Sequence, residues 1–188
     1  RKIDGGVLPK EDLPKETSET LEKLLLQGKA PAKIENLERM LIGFFRNAEA
    51  EELKEYYAVT EGAENRIIAA AKTATSIEDF YEKVKTKRYT MATVRRMIIA
   101  PFLGIKKAEP TIPFLRVLAF NARGAEIMKN IKKSSDLPLI TNFTPELAAV
   151  PEFAEQIALE RRATDIFSLA TPVIGSAFSD YTEKITMI

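Results

Sequence analysis

The 188-residue chain contains no cysteine and no histidine. The first absence removes disulfides, thiolate nucleophiles and cysteine zinc sites. The second removes the commonest general base and the commonest metal ligand. Ser-His-Asp and Cys-His hydrolases are thereby excluded on this chain. Carboxylates remain, but none has a spacing that singles out a working pair. No Walker-type or dinucleotide-type glycine pattern occurs. No apolar run is long enough to span a bilayer, and no signal peptide is visible. The sequence therefore singles out no catalytic residue and no metal ligand, a carboxylate-only site stays possible, and the chain reads as cytoplasmic. It starts with Arg1 rather than Met, which suggests a beginning partway through a longer protein. Net charge is also nearly lacking, with 28 Lys and Arg against 27 Asp and Glu. Only local clustering of charge can then point to a charged partner.

What is present is mostly helical periodicity. The stretch "RKIDGGVLPKEDLPKET" is rich in Gly, Pro and charge and reads as a linker. A short helix is expected over residues 18–27, ending at Gly28. Leu37, Met40, Leu41, Phe44 and Phe45 recur with a 3.6-residue period and predict a buried helical stripe. "NAEAEELKEYYAV" and "GAENRIIAAAKTA" predict two more helices. In "TSIEDFYEKVK", Thr75 with Glu78 fits a capping box, and Ile77, Phe80 and Val84 form the buried face. Thr90 is a good N-cap for a helix from Met91 to about residue 100, with Val94, Met97 and Ile98 inward. Pro101 should kink or end it, although "FLGI" could continue one turn. After Pro110 two short apolar runs, "FLRVLAF" and "LPLIT", flank the helical "ARGAEIMKNIKK". That order predicts one parallel βαβ unit that must pack on helices. The fold class is therefore mainly α, a helical domain with a small two-stranded parallel βαβ insert near residues 114–141. Two segments are expected: a linker with a short helix at 1–29, and the helical domain at 30–188.

The most distinctive stretch is "VKTKRYTMATVRRM". Residues 83–108 contain no acid, and Lys83, Lys85, Lys87, Arg88, Arg95 and Arg96 crowd into one turn and helix. Phosphates bind where cationic side chains meet the free N–H groups of a helix N-terminus, and the run from Lys87 to Thr90 supplies both. Tyr89 could stack on an unpaired base. The competing reading is a solvated basic face beside acidic helices, and composition alone leaves the two balanced. In "EGAENRI", Gly62 suits a turn, while Glu64, Asn65 and Arg66 open a helix, where capping is the simpler role. "ERRATDIF" reads as ordinary helix surface, with Asp165 four residues from Arg161. The "FNARG" turn is only weak evidence of an anion site.

These motifs together resemble the C-terminal helical region of the bacterial tRNA(Met) cytidine acetate ligases. The likeness is carried by "EGAENRIIAAAKTATSIEDFYEKVKTKRYTMATVRRMIIAPFLGI", then "PFLRVLAFNARGAEIMKNIKK", "LPLIT" and "ERRATDIFSL", over most of residues 30–170. The resemblance implies a parent enzyme that activates acetate with ATP and acetylates the wobble cytidine of elongator tRNA(Met). ATP would be held mainly by an N-terminal domain with a HIGH-type histidine motif. That motif is absent here, so the chain alone is expected to bind no cofactor and to be inactive. Lys85, Lys87, Arg88 and Thr90 match the family's KTKRYT motif. Gly62, Glu64, Asn65 and Arg66 match a second motif of unassigned role. The implied partners are tRNA and the protein's own N-terminal catalytic domain, with no membrane, and a homodimer remains open. Whether the loop meets tRNA or ATP stays open too. So do two rivals, a helical appendage of a nucleotidyltransferase acting on a small metabolite and a dimerisation module without RNA binding.

Overall fold

Leu41, Ile42 and Phe45 of one ten-residue helix set the centre of the main core, each buried or nearly so. In this computed structural model the described residues are 12–107 and 112–188. Most of the linker expected at the start lies outside them. The described residues fall into two compact units, each with its own core. The first comprises residues up to Lys107 with Ile166–Ser176, and the second the residues up to Asp165 with Ala177–Ile188.

The first unit is all helical. Helix α1 (Lys15–Leu26) is followed by a 3-10 turn (Ile34–Leu37), α2 (Glu38–Asn47), α3 (Ala50–Leu53), α4 (Ala63–Thr73), α5 (Ile77–Val84) and α6 (Met91–Leu103). Helix α1 ends as its sequence suggests. Gly28 takes a left-handed φ of 67°, its N–H reaches Leu25, and the Lys29 N–H reaches Leu24. The α2 stripe is rotated from the expected one. Ile42 is buried where Met40 was expected, and Met40 is 46% exposed. The core is knitted by edge-on aromatic pairs, Phe44 to Phe45 at 5.0 Å and Phe45 to Phe80 at 5.5 Å. Ile77, Phe80, Val84, Val94, Met97 and Ile98 join it as expected.

Two local expectations are corrected. "NAEAEELKEYYAV" forms only the four-residue α3. Its second half pairs with the chain after α6 instead. The Tyr57 N–H bonds Ile105 O at 2.8 Å and the Lys107 N–H bonds Glu55 O at 2.8 Å, while Ala58 turns left-handed at φ 66°. Long-range backbone pairing satisfies the groups that a helix would have used. The cap of α5 lies one residue later than read. Ser76 Oγ accepts the Asp79 N–H at 3.1 Å, and Asp79 Oδ2 accepts the Thr75 N–H at 3.0 Å. Helix α6 passes through Pro101 for a further turn and stops at Gly104, whose φ is 76°.

The second unit holds the strands. Strands β1 (Leu115–Arg116) and β2 (Ala119–Phe120) precede α7 (Ala122–Ser134) and β3 (Leu139–Ile140). After α8 (Pro145–Ala148) and most of α9 (Pro151–Leu169) come α10 (Ser179–Thr182) and β4 (Thr186–Met187). Strand β1 pairs parallel with β3 across α7, the βαβ unit expected from sequence. The run "FLRVLAF" is nonetheless two strands, and β2 pairs parallel with β4 near the end of the chain. Phe114, Ile140, Phe143 and Ile157 form this unit's core. Arg116 lies 4.1 Å from the Phe143 ring centroid and bonds Glu160 at 2.8 Å and Asp180 at 2.5 Å. Burial opposes its charge, but the two carboxylates together raise its pKa.

Candidate nucleic-acid interface

The turn between α5 and α6 carries the acid-free loop. Thr90 caps α6 as its sequence predicts: its Oγ1 accepts the Thr93 N–H at 3.3 Å and pairs with Thr93 Oγ1 at 3.0 Å. A helix leaves its first N–H groups without internal partners, so the positive end of α6 opens onto this loop.

The expected cations divide by what they already hold. Lys83 Nζ donates to Asp79 Oδ2 at 2.6 Å and to Thr73 O at 2.8 Å, which fastens the end of α4 to α5. That ammonium, and next the Thr75 N–H, hold the Asp79 carboxyl below its ordinary range. Lys85 Nζ reaches both Glu82 oxygens at 3.4 Å, a surface pair worth little. Arg95 lies 5.9 Å from the Tyr81 ring centroid and lines an open groove of about 620 Å³ with Glu35, Glu78 and Glu82. Burial is the main cause that raises the Tyr81 pKa, and Arg95 opposes it. Lys87, Arg88 and Arg96 are exposed. No hydrogen bond or ion pair within the described residues engages their charged ends. Arg88 does lie over Tyr89, 5.6 Å from the ring centroid.

Tyr89 is half-buried against the main core, and its hydroxyl bonds Thr60 Oγ1 at 2.9 Å. Its ring is therefore a fixed feature of the loop. The second motif sits beside it. Gly62 precedes α4 with a φ of 84°, a conformation that suits glycine. Glu64 is 3% exposed; its Oε1 accepts from Asn65 Nδ2 at 3.3 Å, and its Oε2 has no partner among the described residues. Arg66 reaches across to the loop, with Nε on Val84 O at 2.8 Å and one terminal nitrogen on Lys85 O at 3.0 Å. This contact and the role of Thr60 were invisible in sequence. The only signal was that the two motifs occur together. No group of three or more Asp or Glu among the described residues is placed to hold a metal ion. No helix there is long and apolar enough to cross a membrane.

Known proteins share this fold. The family model described as HIGH Nucleotidyl Transferase matches residues 8–180, a wider span than the motifs suggested. Among curated relatives, the Thermotoga maritima protein named tRNA(Met) cytidine acetate ligase is 29% identical over 180 residues, covering 88% of this chain and 43% of the relative. The Thermosipho melanesiensis protein of the same name is 32% identical over 136 residues, covering 69% of this chain and 32% of the relative. A crystal structure of Thermotoga maritima TmcAL without ligand superposes with a TM-score of 0.86 at 26% identity, over 94% of this chain and 46% of that one. A second, bound with alpha-thio ATP, gives 0.84 at 27% identity, over 94% and 47%. The chain thus spans about half the length or less of the relatives it matches. Since the family model covers nearly all of it, the chain belongs to the HIGH nucleotidyl transferase family.

Proposed function

We propose that this chain is the C-terminal, tRNA-contacting part of an ATP-dependent ligase that acetylates the wobble cytidine of elongator tRNA(Met). The observation that carries this reading is the loop of residues 85–90. It is acid-free, presents Lys87 and Arg88 without ion-pair partners among the described residues, and opens onto the capped N-terminus of α6. Cations beside a helix N-terminus suit phosphates. The names of the relatives supply the substrate, and the neighbour bound to alpha-thio ATP supports ATP as the activating nucleotide of the parent protein. On this reading ATP is held by an N-terminal catalytic domain, residues 1–29 lead from it into the helical domain, and the chain alone performs no chemistry. Lys85, Lys87, Arg88, Arg95 and Arg96 supply electrostatic attraction, Tyr89 is a platform for a base, and Lys83 chiefly holds the scaffold around them.

The test is a fluorescence titration with elongator tRNA(Met) at low and near-physiological salt, using the chain and its Lys85→Ala/Lys87→Ala/Arg88→Ala variant. Salt-sensitive binding that weakens at least about tenfold in the variant is expected, since each lost phosphate contact also lowers the salt slope by about 0.7–0.9. Equal affinity of both proteins at both salts would remove the loop from RNA binding.

A further inference from the structure

We infer that residues 60–66 form the positioning element of the basic loop, and that Arg66 is its principal positioning residue. The inference rests on the proposed reading of the loop as a phosphate-binding segment, and it assigns a role to the second motif. The loop is held at both ends from this one stretch. At its start the Arg66 guanidinium donates to two successive carbonyls, Val84 O and Lys85 O, at 2.8 and 3.0 Å. Those carbonyls belong to the end of α5, where a helix lacks internal donors. At its finish Tyr89 bonds Thr60 at 2.9 Å, with its ring against the core. Gly62 supplies the left-handed turn between Thr60 and α4. Between the two clasps the backbone closes on itself, Tyr89 N–H to Thr86 O at 3.3 Å and Arg88 N–H to Thr86 Oγ1 at 3.1 Å.

The consequence is a loop ordered before any ligand arrives. Lys87 and Arg88 lie between the clasps and are exposed. A preordered loop loses less conformational freedom on binding, and that raises affinity without a new contact. The chemistry requires arginine. A planar guanidinium can serve two carbonyls from a fixed fork, whereas an ammonium is a point donor on a flexible stem. The same device recurs away from the loop. Arg46 bonds Ala71 O at 2.9 Å and Ala74 O at 3.0 Å at the end of α4. It is a built-in control for the loss of such a clasp.

The experiment compares Arg66→Ala, Arg66→Lys, Arg46→Ala and Lys87→Ala/Arg88→Ala in the full chain. One readout needs no RNA: the rate of tryptic cleavage after Lys87 and Arg88 in the native protein, resolved by mass spectrometry. The other is the affinity for elongator tRNA(Met) at two salt concentrations. Both Arg66 variants are expected to speed cleavage at the loop. They should weaken tRNA binding about three- to tenfold, the cost of ordering about one side chain on binding, with the salt slope kept. Arg46→Ala should leave loop cleavage and affinity unchanged. An unchanged cleavage rate in Arg66→Ala overturns the inference. So does rescue by lysine together with a slope lowered by about one in Arg66→Ala, which would make Arg66 itself a phosphate contact. Faster loop cleavage in Arg66→Ala, with affinity unchanged both there and in Lys87→Ala/Arg88→Ala, leaves the clasp standing and overturns the RNA reading. If Arg66→Ala does not fold, Arg66→Lys and Thr60→Val carry the same comparison.

Discussion

Lys83 and Lys87 are four residues apart in one basic run, yet one is engaged by the fold and the other is free among the described residues. Charge is legible in a sequence, and so is Asp79 one turn before Lys83 on α5; the rest of its engagement is not, because Thr73 O reaches Lys83 only once α4 and α5 meet. The Lys83 pair has a measurable signature. The Asp79 carboxyl lies below its ordinary value of 3.8, first through Lys83 and next through the Thr75 N–H. A depressed carboxyl pKa contributes stability above the unfolded value, and the contribution is lost as pH falls through the folded value. Carboxyl NMR titration should give Asp79 a midpoint below 3.8, and Lys83→Ala should move it upward. A midpoint that does not move would assign the depression to the Thr75 N–H. Arg66 makes the same point with a longer reach, since its two acceptors lie 18 and 19 residues away.

Among the elements, most of those with strong local signals matched expectation, although the α5 cap fell on Ser76 rather than Thr75. Thr90 caps α6, Gly28 ends α1, and the α5 stripe is buried. Caps and glycine stops act within one turn, so the sequence carries them to within a residue. Thr90→Ala should therefore cost about 1 kcal/mol, the usual value of an N-cap, as read by urea unfolding. Gly28→Ala should destabilise more than a helix-surface substitution. Its φ is left-handed, and an added Cβ would collide with Val173. Where local signals met distant partners they lost. The polar-aromatic run ending in Tyr56 and Tyr57 has helical composition, but its backbone pairs with residues 105–107. "FLRVLAF" reads as one strand, but β1 and β2 take different partners.

For the whole molecule, the two units have separate cores, one around Phe45 and Phe80 and one around Phe114 and Phe143. Truncating a fully buried phenylalanine costs about 3–5 kcal/mol. Phe45→Ala should raise amide exchange chiefly within the first unit, and Phe143→Ala chiefly within the second. Equal effects everywhere would mean that the two unfold as one. The sequence by itself determined the mainly helical class, the parallel unit around α7, the absence of histidine and cysteine chemistry, and the basic loop with its capped helix. All but the parallel unit rest on composition or on contacts within a turn or two of the chain, and that unit rests on the order of two apolar runs about one helical stretch. The tertiary structure decided which cations stay unpaired, that β2 pairs with β4, and that Arg66 and Thr60 clasp the loop. Those depend on groups far apart in sequence. Neither periodicity nor charge count specifies which carbonyl a guanidinium will meet until the helices have packed.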